Sequence, residues 1–134
     1  MEETAAAIHA ERLIPAGNTQ RINSMGDILI YRLVYNLVEN AIKYNFSGGT
    51  VTVNATQQNS QLHLTVEDTG NGIPEELKER IFEPFFRLDK SRSRELGGVG
   101  LGLALVREIV RVHNGSILVK NNANSGTTFE VIFP

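Results

Sequence analysis

The strongest constraint on how this chain can fold is a change of hydrophobic period along it. From Ile28 to Tyr44 the apolar residues Ile30, Leu33, Val34, Leu37, Ala41 and Tyr44 recur at three- and four-residue steps, the mark of an amphipathic helix. Thr50–Thr56 and Gln61–Asp68 then alternate every second residue, as half-buried strands do, and the polar Gln57–Ser60 between them reads as the turn of an antiparallel hairpin. Pro74-Glu75-Glu76 is a helix start, predicting a short helix through about Phe82. Leu103–Val112 is helical again until Asn114-Gly115, and Ser116–Lys120 and Thr127–Phe133 read as two closing strands around an Asn121–Gly126 turn. Asp27 reads as the cap of the first helix. Helix, two strands, helix, helix, two strands is not the alternation of a doubly wound parallel sheet. It predicts an α+β fold, a two-layer sandwich with helices on one face of a mixed, mostly antiparallel sheet.

With 134 residues the chain is expected to form one domain, with residues 1–26 serving as a linker plus a first strand. Thirteen Lys and Arg against 15 Asp and Glu leave a net charge of -2, which argues against a nucleic-acid-coating surface. No cysteine is present, so disulfides, thiolate zinc sites and a thiol nucleophile are excluded. His9, His63 and His113 are too far apart to form a histidine metal motif. No apolar run reaches the ~20 residues of a membrane-spanning helix.

Four constellations carry chemistry. At about 100° per residue, Asn36, Asn40 and Lys43 fall within roughly 60° of one another on the first helix, away from its apolar side. Two amides and an ammonium in one stripe offer a hard oxygen donor for Mg²⁺ and a positive charge for an anion. The plainer reading is a solvated face, although Asn weakens a helix interior without evident structural return. Asp68-Thr-Gly70-Asn-Gly72-Ile73-Pro74 sets a carboxylate at a strand end before spaced glycines, where the backbone can approach a flat ligand and Asp68 can accept from an exocyclic amine. Alone, such a stretch is more often an ordinary Asx-type turn. Gly97-Gly98-Val99-Gly100-Leu101-Gly102 runs into a helix whose free amides and dipole attract phosphate, or else is a glycine hinge. Between the loops Arg87, Lys90, Arg92 and Arg94 crowd a segment that is either solvated or a lid over a phosphoryl group.

Together these segments resemble the catalytic ATP-binding domain of two-component sensor histidine kinases. Asn36-Leu-Val-Glu-Asn40-Ala-Ile-Lys43-Tyr44 is similar to the N box, Asp68-x-Gly70-x-Gly72 to the G1 box, Phe82-Glu-Pro-Phe-Phe86-Arg87 to the F box and Gly98-x-Gly100-x-Gly102 to the G2 box. Gly126-Thr127-Thr-Phe129 through Pro134 resembles the last strand of that domain. Order and spacing match from about Asp27 onward.

The resemblance implies the Bergerat ATP-binding fold, with ATP and Mg²⁺ as cofactors. By it Asn40 would hold the metal and Asn36 would support phosphates or the metal's waters. Lys43 would reach the phosphate chain, Tyr44 would border the adenine, and Asp68 would accept from its amino group. Gly70, Gly72 and Ile73 would shape the base pocket, with Thr127 behind it. Arg87, after Phe86, would approach the γ-phosphate, and Gly98, Gly100, Leu101 and Gly102 would let the lid hinge. The catalytic pair would be Arg87 and Asn36. The implied reaction is transfer of the γ-phosphoryl group of Mg-ATP to a histidine on a separate dimerisation domain of the same kinase, with a response regulator downstream.

The resemblance further implies a homodimeric parent, a monomeric isolated domain, and a cytoplasmic placement beneath a membrane-bound sensor. Hydrolytic superfamily members carry Glu where this chain has Asn36, which cannot act as a general base, so hydrolysis is disfavoured as the main activity. The alternative is a stand-alone serine kinase of the anti-sigma type, which lacks the Phe-Glu-Pro-Phe-Phe-Arg stretch. None of the three histidines is expected to be the phosphoacceptor.

Overall fold

The structure, a computed structural model, describes residues 6–8, 25–87 and 100–134. His9, the charged segment beyond Arg87, Gly97 and Gly98 lie outside the described residues. Five strands form one sheet in the order β1-β2-β3-β5-β4: β1 (Ala6–Ile8), β2 (Gly49–Gln58), β3 (Gln61–Asp68), β4 (Ser116–Asn121) and β5 (Thr127–Phe133). β1 runs parallel to β2 and every other pair is antiparallel, so the sheet is mixed as expected. Ala6–Ile8 is a three-residue strand at the edge of the sheet.

Two helices cover the inner face. In α1 (Met25–Lys43) the residues Leu33, Val34, Leu37 and Ala41 are buried, and in α2 (Gly102–Val112) Val106, Ile109 and Val110 are. They meet Val51 and Val53 of β2, Leu64 and Val66 of β3, Val119 of β4, and Phe129, Val131 and Phe133 of β5 in one core. Each fully buried Leu or Phe contributes about 1.5–3 kcal/mol of transfer free energy. The two-residue period has a second consequence. Leu64, Val66 and Asp68 share a face, as do Thr127, Phe129 and Val131, so the alternation that builds the core carries Asp68 and Thr127 inward at its margin. Both are buried.

Three boundaries differ from the sequence reading. α1 begins at Met25, so Asp27 lies inside its first turn, two residues past the start. The hairpin turn is only Asn59-Ser60, with φ 51° and 69°, the two left-handed residues of a type I′ turn, and polar Gln57 and Gln58 pair in the ladder with Leu62 and Gln61. Pro74 starts not one helix but two 3₁₀ turns, Glu75–Leu77 and Arg80–Phe82. The second buries Ile81 and Phe82 together, the Phe82 ring meeting Phe129 edge-on at 6.3 Å with the Arg107 guanidinium over the ring at 5.7 Å. No helix among the described residues is long and apolar enough to cross a membrane.

Candidate nucleotide-binding site

A cleft of about 210 Å³ opens between α1, the loop after β3 and the start of β5. Asn40 and Tyr44, one helical turn apart, form one wall, and Asp68, Asn71, Gly72, Ile73, Pro74 and Leu77 form the opposite one. Thr127 and Phe129 close the back. The lining is apolar along Ile73, Pro74, Leu77 and Phe129, with polar groups gathered at Asp68, Thr127 and Asn40. That division suits a flat, mostly apolar ligand oriented by a few polar contacts.

Asp68 is the sharpest feature. Its Oδ1 accepts from Gly70 N at 2.8 Å and from Thr127 N at 3.2 Å, and among the described residues nothing donates to Oδ2. Burial pushes this carboxyl above the usual aspartate range. The two backbone donors oppose that rise, and the neighbouring Glu67 charge adds to it. A carboxylate held half satisfied at low exposure is a costly group to keep unless something donates to it.

A second locus lies where α1 and α2 approach. An added Cβ on Gly102 would stand 3.9 Å from the Asn36 amide carbon and oxygen, so the N-terminus of α2 lies beside Asn36. Asn36 Nδ2 is buried and has no hydrogen-bond partner among the described residues. No side chain caps the first turn of α2, where Leu101 occupies the cap position. An uncapped helix start next to an unsatisfied buried amide is matched to an anion.

Of the expected residues, the fold brings Asn40, Tyr44, Asp68, Gly72, Ile73 and Thr127 into the cleft, and Asn36 and Gly102 to the second locus. Lys43 ends α1 outside the cleft lining. Gly70 is buried in the loop itself, where a Cβ would meet Tyr44 O at 2.5 Å. Phe86 packs on the core under the Arg80 guanidinium, 4.8 Å from its ring centre, and Arg87 beside it is partly buried and engaged by other groups. Leu101 is exposed. Gly100 touches Phe85 instead of the cleft: Phe85 N donates to Gly100 O at 2.8 Å, and a Cβ on Gly100 would lie 2.8 Å from Phe85 Cα.

Sequence reasoning missed the residues that hold the site. Asn45, 4% exposed, donates from Nδ2 to Thr50 O at 2.9 Å, while its Oδ1 accepts from Phe46 N at 2.8 Å and Thr69 Oγ1 at 3.0 Å. It ties the end of α1 to β2 and to the residue after Asp68. Asn121, Asn122 and Ser125 in the β4–β5 turn grip the Asp68–Ile73 loop from the other side. Phe129 was legible as a core residue, and its period of two from Thr127 is the signal that places it in the cleft.

An apolar slot ending in a half-satisfied carboxylate, next to an uncapped helix start, defines a nucleotide-binding α+β domain. The chain belongs to the family of histidine kinase-, DNA gyrase B-, and HSP90-like ATPases, whose model matches residues 26–134. It is 43% identical over 105 residues to the sensor histidine kinase RppB of Synechocystis, covering 78% of this chain and 23% of that protein. The mycobacterial sensor histidine kinase MprB superposes with a TM-score of 0.71 at 34% identity, over 81% of this chain and 73% of the MprB chain. Full-length ShkA, solved in complex with AMPPNP, has a TM-score of 0.69 at 28% identity, over 81% of this chain and 22% of that one. The fold is the Bergerat ATP-binding fold. The chain spans about a quarter of the length of RppB. Nothing in these matches supports the stand-alone serine kinase.

Proposed function

We propose that this chain is the single catalytic domain of a sensor histidine kinase, binding Mg-ATP and delivering its γ-phosphoryl group to a histidine on a separate dimerisation domain of the same protein. The observation that carries the reading is Asp68, with Oδ2 open to an apolar slot and Oδ1 locked by two backbone donors. Adenine presents an amine donor and an apolar face, and the slot offers an acceptor and apolar walls. ShkA with AMPPNP supports the same ligand class.

The residues present fit the phosphate end as well. The buried, unpartnered Asn36 amide and the open start of α2 lie together, and both are donors. Asn40 is the residue to hold Mg²⁺, through a hard amide oxygen. When bound, the ion neutralises charge on the phosphate chain. Lys43, at the end of the same helix, brings a positive charge to the phosphate chain, and Tyr44 borders the base. Arg87 stabilises charge that develops on the moving phosphoryl group, so it acts in the transition state more than in binding. Gly98, Gly100 and Gly102 let the segment above the phosphates hinge. Asn36 stands where a hydrolytic member has Glu, so this chain orients the phosphates and does not activate water. The parent is a homodimer that passes the phosphoryl group to a response regulator, with this domain on the cytoplasmic side of a membrane-bound sensor.

The test is to mix residues 1–134, labelled ATP and Mg²⁺ with the dimerisation domain of the parent kinase. Acid-labile, alkali-stable labelling of that domain's histidine is expected, with negligible labelling of the chain alone. Asn40→Asp is expected to abolish transfer and alter metal dependence without unfolding, and Arg87→Ala to lower kcat more than ATP affinity. Robust self-labelling on Ser, Thr or His would overturn the proposal.

A further inference from the structure

The floor of the base slot is held by one side chain that does not touch the slot. Asn121, the last residue of β4, pairs with Thr127 of β5 and reaches across to Ile73, 48 positions away in sequence. Its Oδ1 accepts from Ile73 N at 2.9 Å and its Nδ2 donates to Ile73 O at 2.9 Å. One amide therefore satisfies both backbone groups of one residue, as a neighbouring strand would. Only Asn brings a donor and an acceptor to that distance. Asp lacks the donor, Ser carries a single group, and Gln is one methylene longer. The Ile73 side chain is buried and lines the cleft.

The same turn grips the loop twice more, through Asn122 Nδ2 to Asp68 O at 3.1 Å and Ser125 Oγ to Gly70 O. Those two bonds brace the acceptor end of the loop. Among the described residues the Asn121 pair holds the backbone at the apolar end, where the face of a base would rest. Without it, Ile73 keeps its side chain but loses both backbone partners, and the loop around it is free to sag.

We infer that Asn121 is a positioning residue for the nucleobase, setting the depth of the slot through Ile73 and leaving the phosphate end untouched. The inference rests on the adenine reading of the cleft. Its signature is a loss of affinity shared equally by adenosine, ADP and ATP, because all three carry the base and only two carry phosphates. A merely structural role would lower the melting temperature and leave these dissociation constants alone.

The experiment compares the chain with its Asn121→Ala variant by competition of adenosine, ADP and ATP against a fluorescent adenine nucleotide, with thermal melts alongside. Losing two neutral hydrogen bonds that preform the loop is expected to raise all three constants by the same factor, roughly tenfold. Constants unchanged within twofold, or a loss confined to ADP and ATP, would overturn the inference. Should Asn121→Ala not fold, Asn121→Asp keeps the acceptor for Ile73 N and removes the donor. A shared loss of roughly threefold is then expected, and wild-type affinity for all three ligands refutes it. Failure of the wild-type chain to bind any adenine compound would remove both the adenine reading and this inference. Wild-type binding with an indifferent Asn121 sinks only the inference.

Discussion

Replacing Asp68 with Asn should move stability and affinity in opposite directions. An Asn at this position retains an oxygen to accept from Gly70 N and Thr127 N, so the loop keeps its two anchors. What changes is the atom facing the cleft: an NH₂ donor replaces a charged acceptor. A charged hydrogen bond contributes about 1.5–3 kcal/mol, so ATP affinity should fall by about 10- to 150-fold. Adenine offers a donating amine, and guanine carries an accepting oxygen at the corresponding position, so GTP should lose far less.

Stability runs the other way because burial already raises the Asp68 pKa. An acid whose folded pKa exceeds its unfolded one binds more protons folded than unfolded between the two values, so its contribution is fully present below the unfolded pKa and is lost as pH rises through the folded one. At pH 7 the wild type carries the cost of the buried charge and the Asn variant does not. Its melting temperature should be equal or higher. Nucleotide binding by the wild type should weaken as pH falls through the raised pKa, and the variant should lack that limb. Titration calorimetry with a non-hydrolysable ATP analogue between pH 4 and 8, beside thermal melts, reads both effects. Wild-type ATP affinity in the variant, or equal losses for adenine and guanine, would refute the reasoning.

Three further substitutions test the scaffold. Gly126 has φ +102°, and a Cβ there would lie 1.9 Å from Asp68 O, so Gly126→Ala should cost about 2–4 kcal/mol in urea unfolding and weaken ATP binding with it. Asn45→Ala removes the acceptor of Phe46 N and leaves Thr50 O only the longer bond from Thr69 Oγ1, and should cost about 1–3 kcal/mol by the same assay. Leu37→Ala, at a fully buried position in α1, should cost about 2–5 kcal/mol, read as a lowered urea midpoint with unchanged slope.

Periodicity made the layers legible. The steps through Leu33, Leu37 and Ala41, and the alternation through Leu64, Val66 and Asp68, report burial directly, because each residue's neighbours on its face are fixed by backbone geometry alone. Boundaries failed where tertiary contacts decided them. α1 starts two residues before Asp27, and Gly26 there lies against the imidazole of His113, whose Nε2 would be 3.6 Å from a Cβ. Gln57 and Gln58 are strand residues with nothing to bury, so their polarity reads as a turn. The Pro74 start signal was sound, but the segment closes as two separate 3₁₀ turns, the second holding the buried Ile81 and Phe82. At the site, Asp68, Asn40 and Thr127 were legible because motif spacing marks them. Asn121, Asn122 and Ser125 were not, since a side chain bonding a backbone 48 to 55 residues away leaves no periodic trace.

The bond from Phe85 N to Gly100 O has a consequence for how such a domain can be re-engineered. Because the chain is pinned at both ends there, the sheet and helices receive the same two anchor points whatever the number of residues between 85 and 100. Closing a loop costs only about 0.6 kcal/mol more for each doubling of its length. A reporter or a longer insert placed between the two anchors, past the core-packed Phe86 and Arg87, would leave α2 launched from the same place beside Asn36. Phe85 itself, at φ +68° and 69% exposed, is the clasp, and a Gly there would hold it closed with less strain.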